Sequence, residues 1–183
     1  MHSDQPETDQ PEEIRWAGKF ITARTRGKWE YVTRARGIRA AVILAIDPED
    51  HVILVEQFRV PLGKPCLELP AGLIGDDDGK AGEDATAAAA RELEEETGYR
   101  AARMEVLGEF YSSPGMVSES FTLLRAHGLT RNGPGGGLDG EDITVHRVPR
   151  GELAAFVAES RQRGLGIDVR LLMLLAPDLV GGE

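Results

Sequence analysis

Runs of apolar residues divide most of this chain into short strands separated by turns. The first two runs alternate between apolar and polar residues, which is the pattern of β-strands. The next two runs are almost continuously apolar, and residues 47–50 between them have the composition of a turn. Another turn is predicted at residues 25–28. The predicted strands are residues 16–22, 29–34, 40–46, 52–58, 68–69, 106–111, 121–125 and 143–148.

Helical spacing replaces this pattern in three places. Residues 84–97 carry small apolar side chains on one side, which suits packing on a sheet, and Gly98 is the residue type usually found just past a helix end. An apolar stripe predicts a second helix over residues 152–163, and Asp168 would cap a third. Residues 133–140 are rich in glycine and predict a flexible loop. Strands mixed with a few helices indicate layered α/β packing.

The polar side of the first helix carries three glutamates whose mutual repulsion destabilises the helix unless a cation binds between them. Glu92 and Glu96 lie one turn apart on one face, with Glu95 beside them. Like charges at this spacing destabilise a helix by about 0.2–0.5 kcal/mol per pair, whereas a divalent ion turns the repulsion into binding. Acidic helices are more commonly solvated faces, here with Arg91 paired to Glu95. The spacing therefore indicates a metal site only together with a specific motif.

Composition narrows the class of protein. The 183 residues suffice for one domain with a full core, and the net charge of −10 argues against non-specific binding of nucleic acid, which needs a basic surface. No stretch approaches the ~20 apolar residues of a membrane span. Residues 1–13 are polar and acidic and predict a disordered tail. Cys66 is the only cysteine, so no intrachain disulfide can form, and we expect a buried thiol and a cytoplasmic protein.

The segment from Glu83 to Tyr99 resembles the motif of the Nudix hydrolase family. It fits a pattern of one Glu followed, eight residues later, by Arg-Glu-apolar-x-Glu-Glu-x-Gly-apolar. The family pattern has its leading glycine at the position of Asp77, and Gly72 is the best candidate for that role, in a longer loop. The resemblance implies a Nudix-type α/β/α sandwich with a mixed β-sheet over residues 39–180. It also implies hydrolysis of a nucleoside diphosphate linked to another group.

Segments outside this motif resemble the ADP-ribose pyrophosphatases within that family. They are residues 56–59 with Pro61, residues 68–72, the Ser-Pro-Gly turn at 113–115 and the acidic loop at 140–143. The resemblance implies that aromatic side chains stack on adenine and that arginines touch the base or the phosphates. The residues it assigns to substrate binding are Phe20, Trp29, Arg34, Arg59, Gly115 and Met116.

The same resemblance implies a metal-dependent mechanism. The expected ion is Mg²⁺, with Mn²⁺ as the alternative, and Arg91 would orient its glutamate ligands. Two residues compete as the general base: Glu141 in the glycine-rich loop and Glu119 after the Ser-Pro-Gly turn. The residues that the resemblance assigns to the metal are Ala71, through its carbonyl, Glu92, Glu95 and Glu96.

The resembled enzymes are homodimers that exchange N-terminal strands, so we expect residues 14–38 to serve dimerisation and adenine stacking. The expected reaction is hydrolysis of ADP-ribose to AMP and ribose 5-phosphate. The expected partners are this small-molecule substrate and a second subunit, with neither nucleic acid nor membrane. A hydrolase of GDP-mannose or another nucleotide sugar is the alternative within the same chemistry. A non-catalytic ADP-ribose sensor belongs to another class, which the three intact glutamates disfavour.

Overall fold

The computed structural model describes residues 9–35, 38–74, 84–138 and 140–175. Its strands are β1 (Glu12–Ala17), β2 (Ile21–Arg26), β3 (Trp29–Arg34), β4 (Arg39–Ala45), β5 (His51–Arg59), β6 (Lys64–Glu68), β7 (Ala71–Ile74), β8 (Tyr99–Arg100), β9 (Arg103–Tyr111), β10 (Ser120–His127), β11 (Thr130–Arg131), β12 (Thr144–Pro149) and β13 (Gly166–Ile167). The α-helices are α1 (Ala85–Thr97) and α2 (Leu153–Gln162), and short 3₁₀ helices cover Val60–Leu62, Arg150–Glu152 and Val169–Leu175.

Two four-stranded sheets form the body of the fold. Their strand orders are β7-β4-β10-β9 and β12-β5-β6-β13. Each sheet contains one parallel pair, β4 with β10 in the first and β6 with β13 in the second. The remaining neighbours in both sheets are antiparallel. The prediction of mixed sheets is therefore confirmed.

The side chains of β4 show how the layers stack. Val42 and Leu44 lie in a core shared with α2 and the C-terminal 3₁₀ helix. Ala41, Ile43 and Ala45 lie in a second core, which includes the apolar face of α1. Because successive side chains of a strand point to opposite faces, β4 separates the two cores. Helices thus cover both sides of the sheet layers, and the predicted α/β/α sandwich is confirmed.

The N-terminal residues form a separate antiparallel sheet in the order β1-β2-β3. The prediction of one strand over residues 16–22 is wrong, because the chain turns at Gly18, whose N–H donates to the carbonyl of Ile21 at 2.9 Å. β1 begins at Glu12, so the strand starts inside the segment predicted to be a disordered tail. The carboxylate of Glu12 pairs with Arg24 across the sheet, which favours this earlier start. Residues 1–8 lie outside the described part of the chain.

The N-terminal sheet meets the body through β3. The N–H of Val32 donates to the carbonyl of Met116 at 3.0 Å, and the N–H of Ser118 donates to the carbonyl of Val32 at 3.0 Å. These two bonds hold the loop that follows the Ser-Pro-Gly turn against the middle of β3. The sheet is therefore joined to the loop whose residues were predicted to bind substrate.

The short strands β7, β8, β11 and β13 are absent from the prediction. β7 follows Pro70 and contains Gly72, which favour a loop, yet it pairs antiparallel with β4. The predicted C-terminal helix is a 3₁₀ helix, and Asp168 does precede it, accepting from the N–H of Arg170 at 2.8 Å. Cys66 is buried, as expected. No helix in the described ranges is long and apolar enough to cross a membrane.

Candidate active site

Helix α1 carries the three glutamates on its last turns and is fixed at both ends. The side chain of Asp84 accepts hydrogen bonds from the N–H groups of Thr86 and Ala87, at 2.9 and 3.3 Å, and so caps the N-terminus. Gly98 ends the helix in the left-handed conformation, with φ 73°. Its N–H donates to the carbonyl of Glu94 at 2.9 Å. The helix predicted over residues 84–97 is therefore present and ends at Gly98 as expected, and Asp84 caps its start.

The backbone of β7 lies directly against this glutamate-bearing part of α1. A Cβ atom at Gly72 would lie 2.0 Å from Cγ of Glu92, so only glycine fits at this position without moving the glutamate. One residue earlier, the N–H of Ala71 donates to Oε2 of Glu96 at 3.0 Å. The structure thus brings Ala71, Gly72, Glu92 and Glu96 together, although the first two precede the helix by many residues.

Glu96 is the most deeply buried of the three glutamates, at 6% exposed. Burial raises the pKa of Glu96 to about 8, and the negative charges of Glu92 and Glu141 act in the same direction. The N–H of Ala71 and the charge of Arg59 oppose this rise without cancelling it. A cation placed between such carboxylates favours their charged forms, because an opposite charge offsets both burial and mutual repulsion. The electrostatics here suit a bound cation.

Arg91 supplies part of that positive charge in the structure. Its Nη1 donates to Oε1 of Glu92 at 2.9 Å and to Oε2 of Glu95 at 3.1 Å. Within the described residues, no three Asp, Glu, His or Cys side chains form a ready-made metal cluster. The donor types nevertheless fit a hard divalent ion, because carboxylate and carbonyl oxygens are its preferred ligands. Buried Glu96, with Glu92 one turn away, is the observation that supports this fit.

The glycine-rich segment after β11 packs on the C-terminal end of α1. The N–H groups of Gly136 and Gly137 donate to the carbonyls of Glu96 and Glu95, at 2.8 and 3.1 Å. Glu141 follows this segment, and its charge contributes to the raised pKa of Glu96. The segment predicted to be a flexible loop is therefore hydrogen-bonded to the helix, and it brings Glu141 towards the glutamates of α1.

A cavity of about 530 Å³ opens beside Ala71 and Gly72. Three arginines line it, each paired with a carboxylate: Arg34 with Glu119, Arg59 with Glu68, and Arg170 with Asp168. Nε of Arg34 donates a hydrogen bond to Oε1 of Glu119 at 2.6 Å. The Arg59 pair has two bonds, of 2.6 and 2.7 Å, to a carboxylate that is only 2% exposed. The cavity thus presents guanidinium groups next to the part of β7 that contacts Glu92 and Glu96.

Three charged residues of this cavity have no predicted role in a site. Glu68 belongs to a segment noted only for its resemblance to the family, Asp168 is predicted only as a helix cap, and Arg170 carries no prediction. In the fold, Arg170 lies over the ring of Phe121 at 5.6 Å and 3.9 Å from Glu68. A charged residue within an otherwise apolar stretch, as Glu68 is, was the one available signal. Cys66 also lines the cavity, where burial raises the pKa of its thiol to about 11.

Trp29 and Gly115 line a different cavity, of about 380 Å³. Trp29 and Arg34 are five residues apart on β3, so their side chains lie on opposite faces of the strand. Phe20 and Met116 are exposed and line neither cavity. Of the predicted substrate-binding residues, Arg34 and Arg59 therefore line the first cavity, Trp29 and Gly115 line the second, and the other two line neither. The long loop before α1, which contains Asp77 and Glu83, lies outside the described residues.

The family model of the NUDIX domain matches residues 36–165. The chain belongs to the Nudix family. The prediction from the glutamate motif is thereby confirmed. Nudix hydrolases generally use divalent metal ions, in agreement with the oxygen donors gathered on α1.

Three relatives illustrate the range of proteins that the chain is similar to. A methanol dehydrogenase activator from Bacillus methanolicus is 37% identical over 123 residues, which is 67% of this chain and 64% of that protein. An ADP-ribose pyrophosphatase from Bacillus subtilis is 40% identical over 91 residues, 50% of this chain and 46% of that protein. A GDP-mannose pyrophosphatase from Cronobacter sakazakii is 34% identical over 148 residues, 76% of this chain and 72% of that protein. The chain therefore matches less than two thirds of the length of the first two.

A solved structure described as an ADP compounds hydrolase has a similar fold. It superposes with a TM-score of 0.68, over 93% of this chain and 92% of that chain, at 23% sequence identity. At this identity the match shows the fold. It extends over the N-terminal sheet as well as the two sheets of the body, because almost the whole chain is covered.

Proposed function

We propose that this protein hydrolyses the pyrophosphate bond of ADP-ribose, or of a related ADP-sugar, to AMP and a sugar phosphate such as ribose 5-phosphate, using Mg²⁺. The observation that carries the proposal is the cavity beside Gly72. It places three arginines beside Ala71 and Gly72, whose backbone contacts Glu96 and Glu92 on α1. A pyrophosphate needs both a cation and guanidinium donors. The similarity to an ADP-ribose pyrophosphatase from Bacillus subtilis supports the choice of substrate.

In this proposal Glu92, Glu95, Glu96 and the carbonyl of Ala71 hold the ion. When bound, Mg²⁺ draws negative charge from the pyrophosphate and lowers the pKa of the attacking water. The N–H of Ala71 fixes the orientation of the Glu96 carboxylate. Arg91, which contacts both Glu92 and Glu95, keeps these two side chains on the same side of the helix. Mn²⁺ has the same oxygen preference and is the alternative ion.

The phosphates would be bound by Arg59. Its guanidinium is held by two hydrogen bonds to buried Glu68, so its remaining N–H groups have a fixed direction. Breaking this pair would leave the buried Glu68 carboxylate with only its longer, 3.9 Å contact to Arg170, which favours keeping the pair intact. Arg59 therefore remains paired when substrate enters, and it acts as a preorganised donor.

Glu141 is the proposed general base. Its Oε2 accepts from the N–H of Leu138 at 2.9 Å, which holds the carboxylate in one orientation. The rival, Glu119, accepts from Nε of Arg34 at 2.6 Å. We assign Glu119 to orienting Arg34, because its contact with a guanidinium competes with accepting a proton from water.

Adenine recognition would involve two subunits. Trp29 and Arg34 point to opposite faces of β3, so one protomer does not bring both to the cavity beside Gly72. A homodimer that joins N-terminal sheets would let Trp29, and the exposed Phe20, stack on adenine bound by the partner, with Gly115 and Met116 at the same junction. A cytoplasmic location completes the proposal, since Cys66 is the only cysteine.

A GDP-mannose pyrophosphatase is the second candidate, because the relative of that name covers more of the chain. The test is phosphate release, coupled through alkaline phosphatase, from a panel of ADP-ribose, ADP-glucose, GDP-mannose, NADH and diadenosine polyphosphates with Mg²⁺. We expect kcat/KM for ADP-ribose to exceed the other values by at least about tenfold, or about 1.4 kcal/mol. A preference for GDP-mannose would keep the metal site and refute the substrate. Binding of ADP-ribose without turnover of any compound would indicate a sensor.

A further inference from the structure

The contact between the glycine-rich segment and α1 depends on two glycines. Gly135 has φ 71°, and a Cβ atom there would lie 2.4 Å from the carbonyl carbon of Thr97 and 2.7 Å from the carbonyl oxygen of Glu96. From the helix side, a Cβ atom at Gly98 would lie 2.3 Å from the carbonyl oxygen of Gly133. These are backbone atoms, which cannot rotate away as a side chain can. The two main chains therefore touch with no room for a methyl group.

This contact supplies hydrogen-bond partners to the end of the helix. An α-helix leaves its last four carbonyls without partners inside the helix. The N–H groups of Gly136 and Gly137 reach the carbonyls of Glu96 and Glu95, and two further N–H groups of the segment reach the carbonyl of Gly98. The segment thus binds the main chain of the same residues whose carboxylates form the proposed metal site.

Glu141 is tied to the other end of the segment. Its Oε2 accepts from the N–H of Leu138 at 2.9 Å, and its own N–H donates to the carbonyl of Leu138 at 2.9 Å. A Cβ atom at Gly137 would lie 2.4 Å from Oε2 of Glu141, so the carboxylate also packs against the glycine that bonds to Glu95. The orientation of Glu141 and the end of α1 are therefore linked through a few residues.

We propose that Gly135 is a positioning residue, which lets this segment lie on α1 and so sets the separation between the Glu141 carboxylate and the carboxylates of Glu92 and Glu96. The inference rests on the proposed function, in which Glu141 accepts the proton of the attacking water. A side chain at position 135 pushes the segment away from Thr97 and carries Glu141 with it. A misplacement of ~1 Å in such a site costs about 100-fold in rate.

The test compares Gly135→Ala with Gly151→Ala, a control at which a Cβ atom meets nothing within 4 Å. Gly135→Ala should lower kcat for ADP-ribose by about 100-fold and change KM by less than about twofold. Gly151→Ala should match the wild type. The decisive arm adds Glu141→Gln: with the base already removed, Gly135→Ala should cost far less than it does alone. An equal loss in both backgrounds would show that Gly135 only supports the fold, and would refute the proposal.

Amide hydrogen exchange gives a readout that does not need activity. The amides of Gly136 and Gly137 should exchange as slowly as those of α1, and Gly135→Ala should lower their protection by about tenfold or more while β4 stays protected. If Gly135→Ala does not fold, the wild-type protein decides, since fast exchange at Gly136 and Gly137 would contradict the contact. Slow exchange in a wild-type protein that hydrolyses no nucleotide sugar would instead refute the proposed function, and with it the catalytic purpose of the contact.

Discussion

At the scale of single residues, Glu96 shows the properties that distinguish a functional carboxylate from a solvated one. It is almost fully buried, it accepts from the N–H of Ala71, and it has the like charge of Glu92 one turn away. Burying an uncompensated carboxylate costs several kcal/mol, so stability alone does not favour this arrangement. Gly72 adds to the argument, because its lack of a side chain lets β7 approach Glu92.

The role of the base is testable with two single substitutions. Glu141→Gln should lower kcat for ADP-ribose by about 100- to 10,000-fold with little change in KM, because it removes the proton acceptor and keeps the shape. Glu119→Gln should chiefly raise KM, because Arg34 loses its anionic partner. Steady-state kinetics at saturating Mg²⁺ distinguishes the two.

Asp142→Asn, next to the proposed base, is the control and should behave like the wild type. Near-normal turnover by Glu141→Gln, combined with a large fall in kcat for Glu119→Gln, would reverse the two assignments.

At the scale of elements, the sequence predicts those parts whose signals are local. Helix α1 is recognisable from its spacing of apolar residues and from Gly98 just past its end, and both agree with the structure. Strand β7 is not recognisable, because Pro70 and Gly72 favour a loop and its pairing with β4 is a contact between distant parts of the chain. Local propensity carries no information about such pairing.

The residues of the candidate site also differ in whether local sequence signals reveal them. The glutamates and Arg91 were predicted because they lie within one continuous motif. The Arg170–Asp168 pair was not, because it reaches the cavity only when the C-terminal 3₁₀ helix packs beside Glu68, far earlier in the chain. Tertiary packing, rather than residue type or local spacing, brings these two side chains to the cavity.

The turn between β4 and β5 provides a prediction about stability away from the site. Asp47 accepts from the N–H groups of Glu49 and His51, at 2.9 and 3.0 Å, and from Nε of Arg147 at 2.6 Å. Asp47→Asn should lower the free energy of unfolding by about 1–3 kcal/mol, because these donors lose a charged acceptor. Glu49→Gln is the control: this exposed carboxylate also contacts Arg147, and its loss should cost less than about 1 kcal/mol.

The effect of Asp47 should depend on pH in a defined direction. Burial would raise its pKa, but the hydrogen bonds from His51, Arg147 and Glu49 outweigh burial and hold the pKa below its ordinary value. Because the pKa of Asp47 is lower in the folded state, its charge stabilises the fold at pH values above the unfolded-state pKa of about 3.9. This contribution is lost as the pH falls through the folded-state pKa. Urea unfolding should therefore show a constant difference between wild type and Asp47→Asn from about pH 7 to 5, shrinking below about pH 4. A difference that grows on acidification would contradict the assignment.

At the scale of the whole molecule, the N-terminal sheet carries an exposed apolar surface. Every residue of β1 is exposed, and exposed aromatic side chains include Trp16, Phe20 and Trp29. Such a surface is typical of an interaction site rather than of an isolated monomer. The proposed dimer would cover it and would bring Trp29 to the partner's cavity.

Trp29→Ala should therefore raise KM for ADP-ribose by about 5- to 150-fold, the value of one lost stacking contact, and leave kcat nearly unchanged. Val106→Ala, an exposed apolar residue of β9 outside this sheet, is the control for loss of exposed apolar surface. Light scattering at micromolar concentration should give the mass of two chains. A monomer with wild-type KM in the Trp29 variant would refute the two-subunit site.

The most direct test of the whole account is ADP-ribose hydrolysis as a function of Mg²⁺ concentration, for the wild type, Glu96→Gln and Glu94→Gln. Glu96→Gln keeps an acceptor for the N–H of Ala71 but removes the buried charge, and it should lose about three orders of magnitude in turnover at every Mg²⁺ concentration. Glu94, which pairs with Arg100 on the exposed side of the same helix, should be replaceable by Gln without loss. Turnover of Glu96→Gln within about tenfold of the wild type would show that the ion is not held by this helix, and the account of the site would be wrong.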